Sequence, residues 1–204
     1  MEENKFSFPT EMVELPSKGI FYPESSPLSS GKVEMKYMTA KEEDILTNQA
    51  YIQKGIVLDK LLDSLIVTKG VNVKDLIVGD KNALFVAARV LGYGKDYVFN
   101  YEGQEYTVDL SEIENKPFDE SKIEKGKNEF PFTLPHSGIN VTYKLLNGYD
   151  NSNVDRELEG LKKIHPNSSS ELTTRLKYVI TSVDNNRDNK EIRSEEHTSE
   201  LQSH

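Results

Sequence analysis

The pattern of apolar and polar positions predicts different secondary structure in successive parts of the chain. Residues 31–39 alternate, with Val33, Met35 and Tyr37 on one face, which is typical of a half-buried strand. A second strand is predicted just before it, over residues 11–15. The chain is therefore expected to begin with extended rather than helical segments.

Helical spacing dominates residues 39–92. Thr39, followed three residues later by Glu42, has the pattern of a capping box and marks a helix start. Two further helices are predicted, one over residues 56–67 and one with Asp80 as its N-cap and Gly92 as its C-cap. Their apolar stripes consist of Leu58, Leu61, Leu62 and Leu65, and of Leu84, Ala87, Ala88 and Leu91.

The middle of the chain reads as two β-hairpins, and the end reads as helices again. The first hairpin turns at Glu102–Gly103 and the second at residues 136–138, with an exposed loop between the two hairpins. Helices are predicted from Ser152 to about residue 165 and over residues 169–183. Helices, hairpins and helices in that order, without βαβ alternation, predict an α+β fold.

The stretch "LPSKGIFYP" (residues 15–23) cannot be helical, because Pro16 and Pro23 lack a backbone N–H and fix φ. It belongs to a predicted extended strap over residues 1–30. Its aromatic pair either braces the core or is kept for a partner. The candidate partner contacts come from this stretch and from the aromatic residues of later turns and hairpin strands. They are Leu15, Pro16, Lys18, Phe21, Tyr22, Tyr93 and Tyr97.

Composition narrows the function classes. The 204 residues carry a net charge of −9 and include no cysteine. The acidic balance argues against nucleic acid or an anionic membrane as a partner and is compatible with protein partners. Without cysteine there is no disulfide, thiolate nucleophile or thiolate metal site. No apolar run is long enough to span a membrane, and the acidic start "MEENKFSF" does not resemble a signal peptide.

No motif in the sequence predicts catalysis, a cofactor or a metal. "GYGK" (residues 92–95) follows a predicted helix, whereas a phosphate loop precedes one. His136 and His165 lack a second ligand at metal-binding spacing, and no "GxSxG" motif is present. The first-turn carboxylates Glu42, Glu43 and Asp44 complement a helix dipole rather than form a marked acid–base pair.

The last twelve residues, "RSEEHTSELQSH", match the in-frame translation of a common short-read sequencing adapter that begins AGATCGGAAGAGCACACGTCTGAACTCCAG. We expect residues 193–204 to be a disordered artefact and the genuine chain to be truncated near Ile192.

Several segments taken in order resemble the baseplate hub protein family of T-even-type contractile-tailed bacteriophages. The resemblance runs from about Glu14 to Ile192, and its specificity lies in the order of the motifs rather than in any one. These are "LPSKGIFYP", "GKVEMKYMTAKEEDILTN", "GIVLDKLLDSLIV", "LIVGDKNALFVAARVLGYGKDY" and "LTTRLKYVITSVD". Some relatives carry a Cys-x-x-Cys pair in the first hairpin. This chain has "NYEGQEYT" there, so the resemblance implies no metal.

The resemblance implies a single α+β baseplate-type domain over residues 31–192 and a non-enzymatic role in the tail baseplate hub or in its assembly. Other tail and baseplate hub proteins would be the partners. The expected location is the host cytoplasm during assembly, and the virion tail baseplate if the protein is structural. The alternatives are a transient cytoplasmic tail-assembly chaperone absent from the mature virion and an enzyme, such as a nucleotide-dependent or cell-wall-degrading one. A cell-wall hydrolase would need two paired carboxylates, and no such pair is marked in the sequence.

Overall fold

The computed structural model describes residues 9–164 and 170–188, apart from the side chain of Lys122. The fold is α+β, as the sequence predicted, with helices and small antiparallel sheets. The chain divides into two compact units, residues 1–126 and residues 127–204. The predicted adapter-derived segment lies outside the described residues. The predicted single domain over residues 31–192 stays a prediction, because compact units need not fold independently.

The first unit contains four strands and four helices among the described residues. The elements are β1 (Thr10–Glu14), β2 (Lys32–Lys36), α1 (Ala40–Leu46), α2 (Gln49–Gln53), α3 (Val57–Leu65), α4 (Val78–Tyr93), β3 (Asp96–Tyr101) and β4 (Gln104–Asp109). β1 pairs antiparallel with β2, and β3 with β4, as two separate two-stranded sheets. The predicted strand at residues 11–15 and the predicted first hairpin are confirmed.

The buried hydrophobic side chains of the first unit come from the strap, β2, α3, α4 and the segment between α3 and α4. Val33 and Met35 on β2 are fully buried, as their alternation predicted, whereas Tyr37, predicted on the same face, lies just after the strand and is 37% exposed. Leu61, Leu62 and Leu65 bury one side of α3. The predicted stripe was wrong for Leu58, which is 47% exposed. Leu58 lies in the first turn of α3, where the i, i+3, i+4 pattern does not ensure that another element covers the side chain.

Two predicted ends of α4 were wrong. Asp80 is not the N-cap, because the helix already begins at Val78 and Asp80 is fully buried inside its first turn. Gly92 lies inside the helix, and Gly94 at φ +81° is the residue that ends it. A glycine tolerates that left-handed backbone at little cost. The sequence "GYG" offers two glycines, and the later one is used.

The second unit packs a three-stranded sheet and two helices. These are β5 (Phe130–Thr133), β6 (Asn140–Tyr143), α5 (Gly148–Ile164), α6 (Glu171–Val179) and β7 (Ile180–Val183). The antiparallel strand order is β5–β6–β7, and Leu134, Val141, Ile180 and Val183 form its core. The predicted second hairpin is confirmed.

The C-terminal helix prediction was too long. Helix α6 ends at Val179, and Ile180–Val183 forms β7 instead. Three of these four residues are β-branched, and they complete the sheet by pairing with β6. Helix α5 begins at Gly148, earlier than predicted, because the Asn147 side chain accepts from the N–H groups of Tyr149 and Asp150 at 3.0 Å each. No helix within the described ranges is both long and apolar enough to span a bilayer.

Candidate functional site

The β3–β4 hairpin carries exposed aromatic residues on one face. Its register places Tyr97 opposite Val108, Phe99 opposite Tyr106 and Tyr101 opposite Gln104. Directly opposed residues share a face, and so do residues two apart along a strand. We define the aromatic face as Tyr97, Phe99, Tyr101, Tyr106 and Val108; their exposed fractions lie between 37% and 60%.

The rings of the aromatic face form a continuous ladder. The ring centroids of Tyr97 and Phe99 are 5.9 Å apart, and those of Phe99 and Tyr106 are 5.7 Å apart, both stacked. Tyr101 meets Tyr106 edge-on at 6.5 Å. Aromatic pairs of this geometry contribute about 0.5–1.5 kcal/mol beyond their buried area. The ladder therefore holds the side chains in a defined surface rather than as independent rotamers.

Arg89 of α4 orients the base of the hairpin. Its guanidinium lies 5.0 Å from the Tyr93 ring and 5.8 Å from the Tyr97 ring. The same group donates to the carbonyl oxygen of Gly94 at 3.0 Å and to that of Asp96 at 3.4 Å. The helix end and the first strand are thus joined through one side chain, and the aromatic surface continues from Tyr97 to Tyr93.

Two contacts with carboxylates lie beside the base of the hairpin, where α4 meets β3. The Tyr93 hydroxyl donates to Glu43 at 2.6 Å, which raises the pKa of Tyr93. Lys95 donates to Asp109 at 2.6 Å, and this hydrogen bond, with those from Ser111, lowers the pKa of Asp109 to about 2. Asp96 and Asp109 are directly opposed in the hairpin, so the ammonium of Lys95 offsets a like-charge pair.

The opposite face of the hairpin is largely polar and acidic. It carries Asp96, Val98, Asn100, Glu105, Thr107 and Asp109. Every residue of β3 is exposed, and so are the first five residues of β4. A two-stranded hairpin with no covered face is marginally stable in water. The one-sided aromatic surface therefore suits contact with another protein, because tyrosine and phenylalanine are enriched in protein–protein interfaces.

The strap lies against α4 rather than in solvent. Leu15, Phe21 and Tyr22 are at most 9% exposed. The Tyr22 hydroxyl donates to Asp80 Oδ2 at 2.6 Å and accepts from the N–H of Ile77 at 3.0 Å. Burial and the Asp80 carboxylate raise the pKa of Tyr22. The burial of these three side chains favours packing within the protein over contact with a partner. Their contact with a partner stays a prediction.

Two further contacts hold the strap. Ser17 donates to Asp80 twice, from its N–H at 2.9 Å and from its hydroxyl at 2.6 Å. The rings of Phe21 and Phe118 are 5.7 Å apart. The buried carboxylate of Asp80 is therefore satisfied by three donors from the strap, which fixes the strap on the first turn of α4.

The seven predicted contact residues do not form one site. Tyr93 and Tyr97 lie together at the base of the hairpin, 51% and 44% exposed. Lys18 is exposed and forms an ion pair with Glu120, and Pro16 is half-buried. Sequence reasoning missed Arg89. The signal was its i, i+4 spacing to Tyr93, which places both on one helix face.

No cluster of three or more His, Asp or Glu residues with metal-binding geometry occurs in residues 9–164 and 170–188. His136 lies in the turn between β5 and β6, and His165 lies outside the described residues.

Comparison of the sequence with protein-family models gave no match, and neither the curated proteins nor the solved structures contain a match to this chain.

Proposed function

We propose that this protein is a non-enzymatic component of a bacteriophage tail baseplate hub, or a protein that assembles that hub, acting through protein–protein contacts. The observation that carries the proposal is the aromatic face, an exposed ladder of three tyrosines, one phenylalanine and one valine on a hairpin with no covered side. The ordered motifs from Glu14 to Ile192 supply the baseplate assignment.

The proposed partner of the aromatic face is another baseplate hub protein, with an apolar contact surface bordered by basic residues. Burial of such rings contributes about 25 cal/mol per Å² of apolar surface. The acidic reverse side, with Asp96, Glu105 and Glu102 near the turn, would attract basic residues at the rim of the contact.

Mass spectrometry of purified phage particles and of the infected-cell lysate tests the role. The diagnostic tryptic peptide is residues 42–54, "EEDILTNQAYIQK". Detection in mature particles identifies a structural hub component, and detection only with tail-assembly intermediates identifies an assembly protein. Absence from both particles and intermediates, with the peptide present in the lysate, would overturn the baseplate proposal.

A second experiment tests the surface itself. In the triple variant Tyr97→Thr/Phe99→Thr/Tyr106→Thr, threonine keeps the strand propensity but removes the rings. We expect assembled tails, measured by sedimentation, to fall strongly. Val98→Thr on the opposite face is the matched control and should assemble normally. If the triple variant keeps its fold by circular dichroism and assembles like the wild type, the aromatic face is not the contact surface.

A further inference from the structure

The start of α5 carries the one asparagine of the sequence that is followed by glycine. Asn147 and Gly148 form this pair, and a residue with a side chain follows each of the other asparagines. The backbone nitrogen after an asparagine can attack the side-chain amide and close a five-membered ring. Glycine favours this step, because no side chain shields its nitrogen and its backbone adopts conformations that other residues avoid. The pair is therefore the place where the chain can most easily modify its own asparagine.

Four hydrogen bonds hold Asn147 in the folded protein. Its Oδ1 accepts from the N–H groups of Tyr149 and Asp150 at 3.0 Å each. Its own N–H donates to Asp150 Oδ2 at 3.2 Å, and its carbonyl oxygen accepts from the N–H of Asn151 at 3.0 Å. The bonds between Asn147 and Asp150 form a reciprocal helix cap. Asn147 is half-buried, and Gly148 is buried.

These contacts oppose ring closure. The Cγ atom of Asn147 reaches the Gly148 nitrogen only when the side chain rotates away from the helix, which breaks both hydrogen bonds to Oδ1. The N–H of Gly148 must also lose its proton, and burial keeps hydroxide and other bases away from it. The first turn of α5 therefore has to open before the reaction proceeds. The reaction rate then follows the population of the open form.

We propose that Asn147 is a modification site, converted by water to aspartate and isoaspartate when the first turn of α5 opens. The Gly148 nitrogen bonds to Cγ of Asn147, and the bond from Cγ to Nδ2 breaks. Nδ2 leaves as ammonia, together with the proton of the Gly148 N–H. Water then opens the ring at either carbonyl and returns a proton to the Gly148 nitrogen. The reaction consumes one water, releases one ammonia and involves no oxidant or reductant. It does not depend on the baseplate assignment.

The two products affect α5 differently. Aspartate keeps the backbone intact and is itself a favoured N-cap residue. Its added negative charge lies beside Asp150, where Lys144 offsets it by donating to Asp150 Oδ1 at 2.7 Å.

Isoaspartate removes the cap. The carbonyl that accepts from Asn151 becomes a free carboxylate, and the side-chain carbonyl that accepts from Tyr149 and Asp150 becomes part of a longer main chain. Neither acceptor of the folded protein stays in place, so the first turn loses both. One opening event can therefore change the second unit irreversibly.

Mass spectrometry of the full chain tests the proposal, after incubation in native buffer and in guanidinium chloride at the same pH and temperature. The tryptic peptide with the site is residues 145–156, "LLNGYDNSNVDR". We expect Asn147 to react at least about tenfold more slowly in native buffer. Asn48 is the internal control, because it caps α2 through the Tyr51 N–H at 3.1 Å but precedes Gln49. In guanidinium chloride Asn48 should stay unmodified while Asn147 reacts.

Asp150→Ala tests the gate, because it removes the acceptor of the Asn147 N–H and leaves the Asn-Gly pair intact. We expect the reaction in native buffer to become several-fold faster and the reaction in guanidinium chloride to stay unchanged. Asp155→Ala is the matched control, since Asp155 is exposed on the same helix beyond its first turn. Circular dichroism checks the fold of both variants, and the comparison of the wild type in the two solvents stands without them.

Hydrogen exchange on the separated isoaspartate form tests the consequence. The N–H groups of Tyr149, Asp150 and Asn151 should exchange at least about tenfold faster than in the unmodified protein. Equal exchange would show that the cap survives the modification.

Three results would overturn the proposal. The first is reaction of Asn147 at equal rates in native buffer and in guanidinium chloride. The second is reaction of Asn147 in guanidinium chloride no faster than that of Asn48. The third is an unchanged native rate in a folded Asp150→Ala variant, which would place the gate elsewhere than in the first turn of α5.

Discussion

At the scale of single residues, Glu42 shows how burial and hydrogen bonding compete over one carboxylate. Its side chain is fully buried. Oε2 accepts from the N–H of Thr39 at 2.9 Å and from its hydroxyl at 2.6 Å, which confirms the capping box. Oε1 accepts from Lys36 at 2.8 Å and from Ser64 at 2.5 Å. Burial alone would raise the pKa of Glu42, but these donors outweigh it and lower the pKa to about 2.

This shift predicts an acid-sensitive contribution to stability. The ordinary pKa of a glutamate is 4.5, and the hydrogen bonds to Glu42 lower its pKa to about 2 in the folded protein. Its contribution is therefore complete above pH 4.5 and is lost as the pH falls toward 2. We expect Glu42→Gln to lower the free energy of unfolding at pH 7 by about 2 kcal/mol, because it weakens bonds to a charged group.

Urea denaturation at several pH values measures that contribution. The difference between the wild type and Glu42→Gln should shrink as the pH is lowered from neutral toward 2. Glu105→Gln, which removes an exposed carboxylate from the hairpin, is the matched control and should cost under about 0.5 kcal/mol at pH 7. A constant difference between the wild type and Glu42→Gln at all pH values would contradict the assigned shift.

At the scale of elements, the strap depends on a close backbone approach between two glycines. Gly19 has φ +77°, and a Cβ there would lie 2.6 Å from the backbone nitrogen of Gly31 and 2.6 Å from the carbonyl oxygen of Ser29. Gly31 has φ +73° and is equally close to Lys18. The turn that positions Phe21 and Tyr22 therefore cannot accept a side chain at either residue.

Gly19→Ala is predicted to destabilise the first unit by at least about 2 kcal/mol, from left-handed backbone strain and from overlap with backbone atoms. Chemical denaturation monitored by circular dichroism measures the change. Gly79→Ala is the matched control, since a Cβ there meets nothing within 4 Å. Equal stability of the two variants would show that the strap is not held as described.

At the scale of the whole molecule, the two units differ in how much apolar surface they bury. Among the described residues, 14 buried hydrophobic side chains belong to the first unit and 5 to the second. Within the described part of the second unit, two buried polar atoms, Asn151 Oδ1 and Thr174 Oγ1, have no hydrogen-bond partner. An unsatisfied buried polar group costs about 1–3 kcal/mol.

We predict that the second unit opens at lower free energy than the first. Native-state hydrogen exchange should show less protection in β6 and β7 than in α3 and the buried part of α4. Thr174→Val, which removes the unpaired hydroxyl at nearly constant volume, should raise protection in the second unit by about 1 kcal/mol. Equal protection of both units in the wild type would contradict the prediction.

Local patterns in the sequence determined much of the secondary structure. The capping box at Thr39, the alternation around Val33 and Met35, and the turn at Glu102–Gly103 each depend on neighbours a few residues away. Periodicity also predicted the α+β class. The rings at Tyr93 and Tyr97 were recognised as candidate contacts because the turn and hairpin strand that carry them are visible in the sequence.

Only the tertiary structure decided which of these residues contact distant parts of the same chain. Asp80 became the buried acceptor of the strap because Ser17 and Tyr22, 63 and 58 residues earlier, reach it. Residues 180–183 became a strand because β6 offered an unpaired edge that outweighed their helical spacing. The pairing of β1 with β2 depends on the register between the two strands. All three follow from hydrogen bonds between distant residues, which local spacing does not encode.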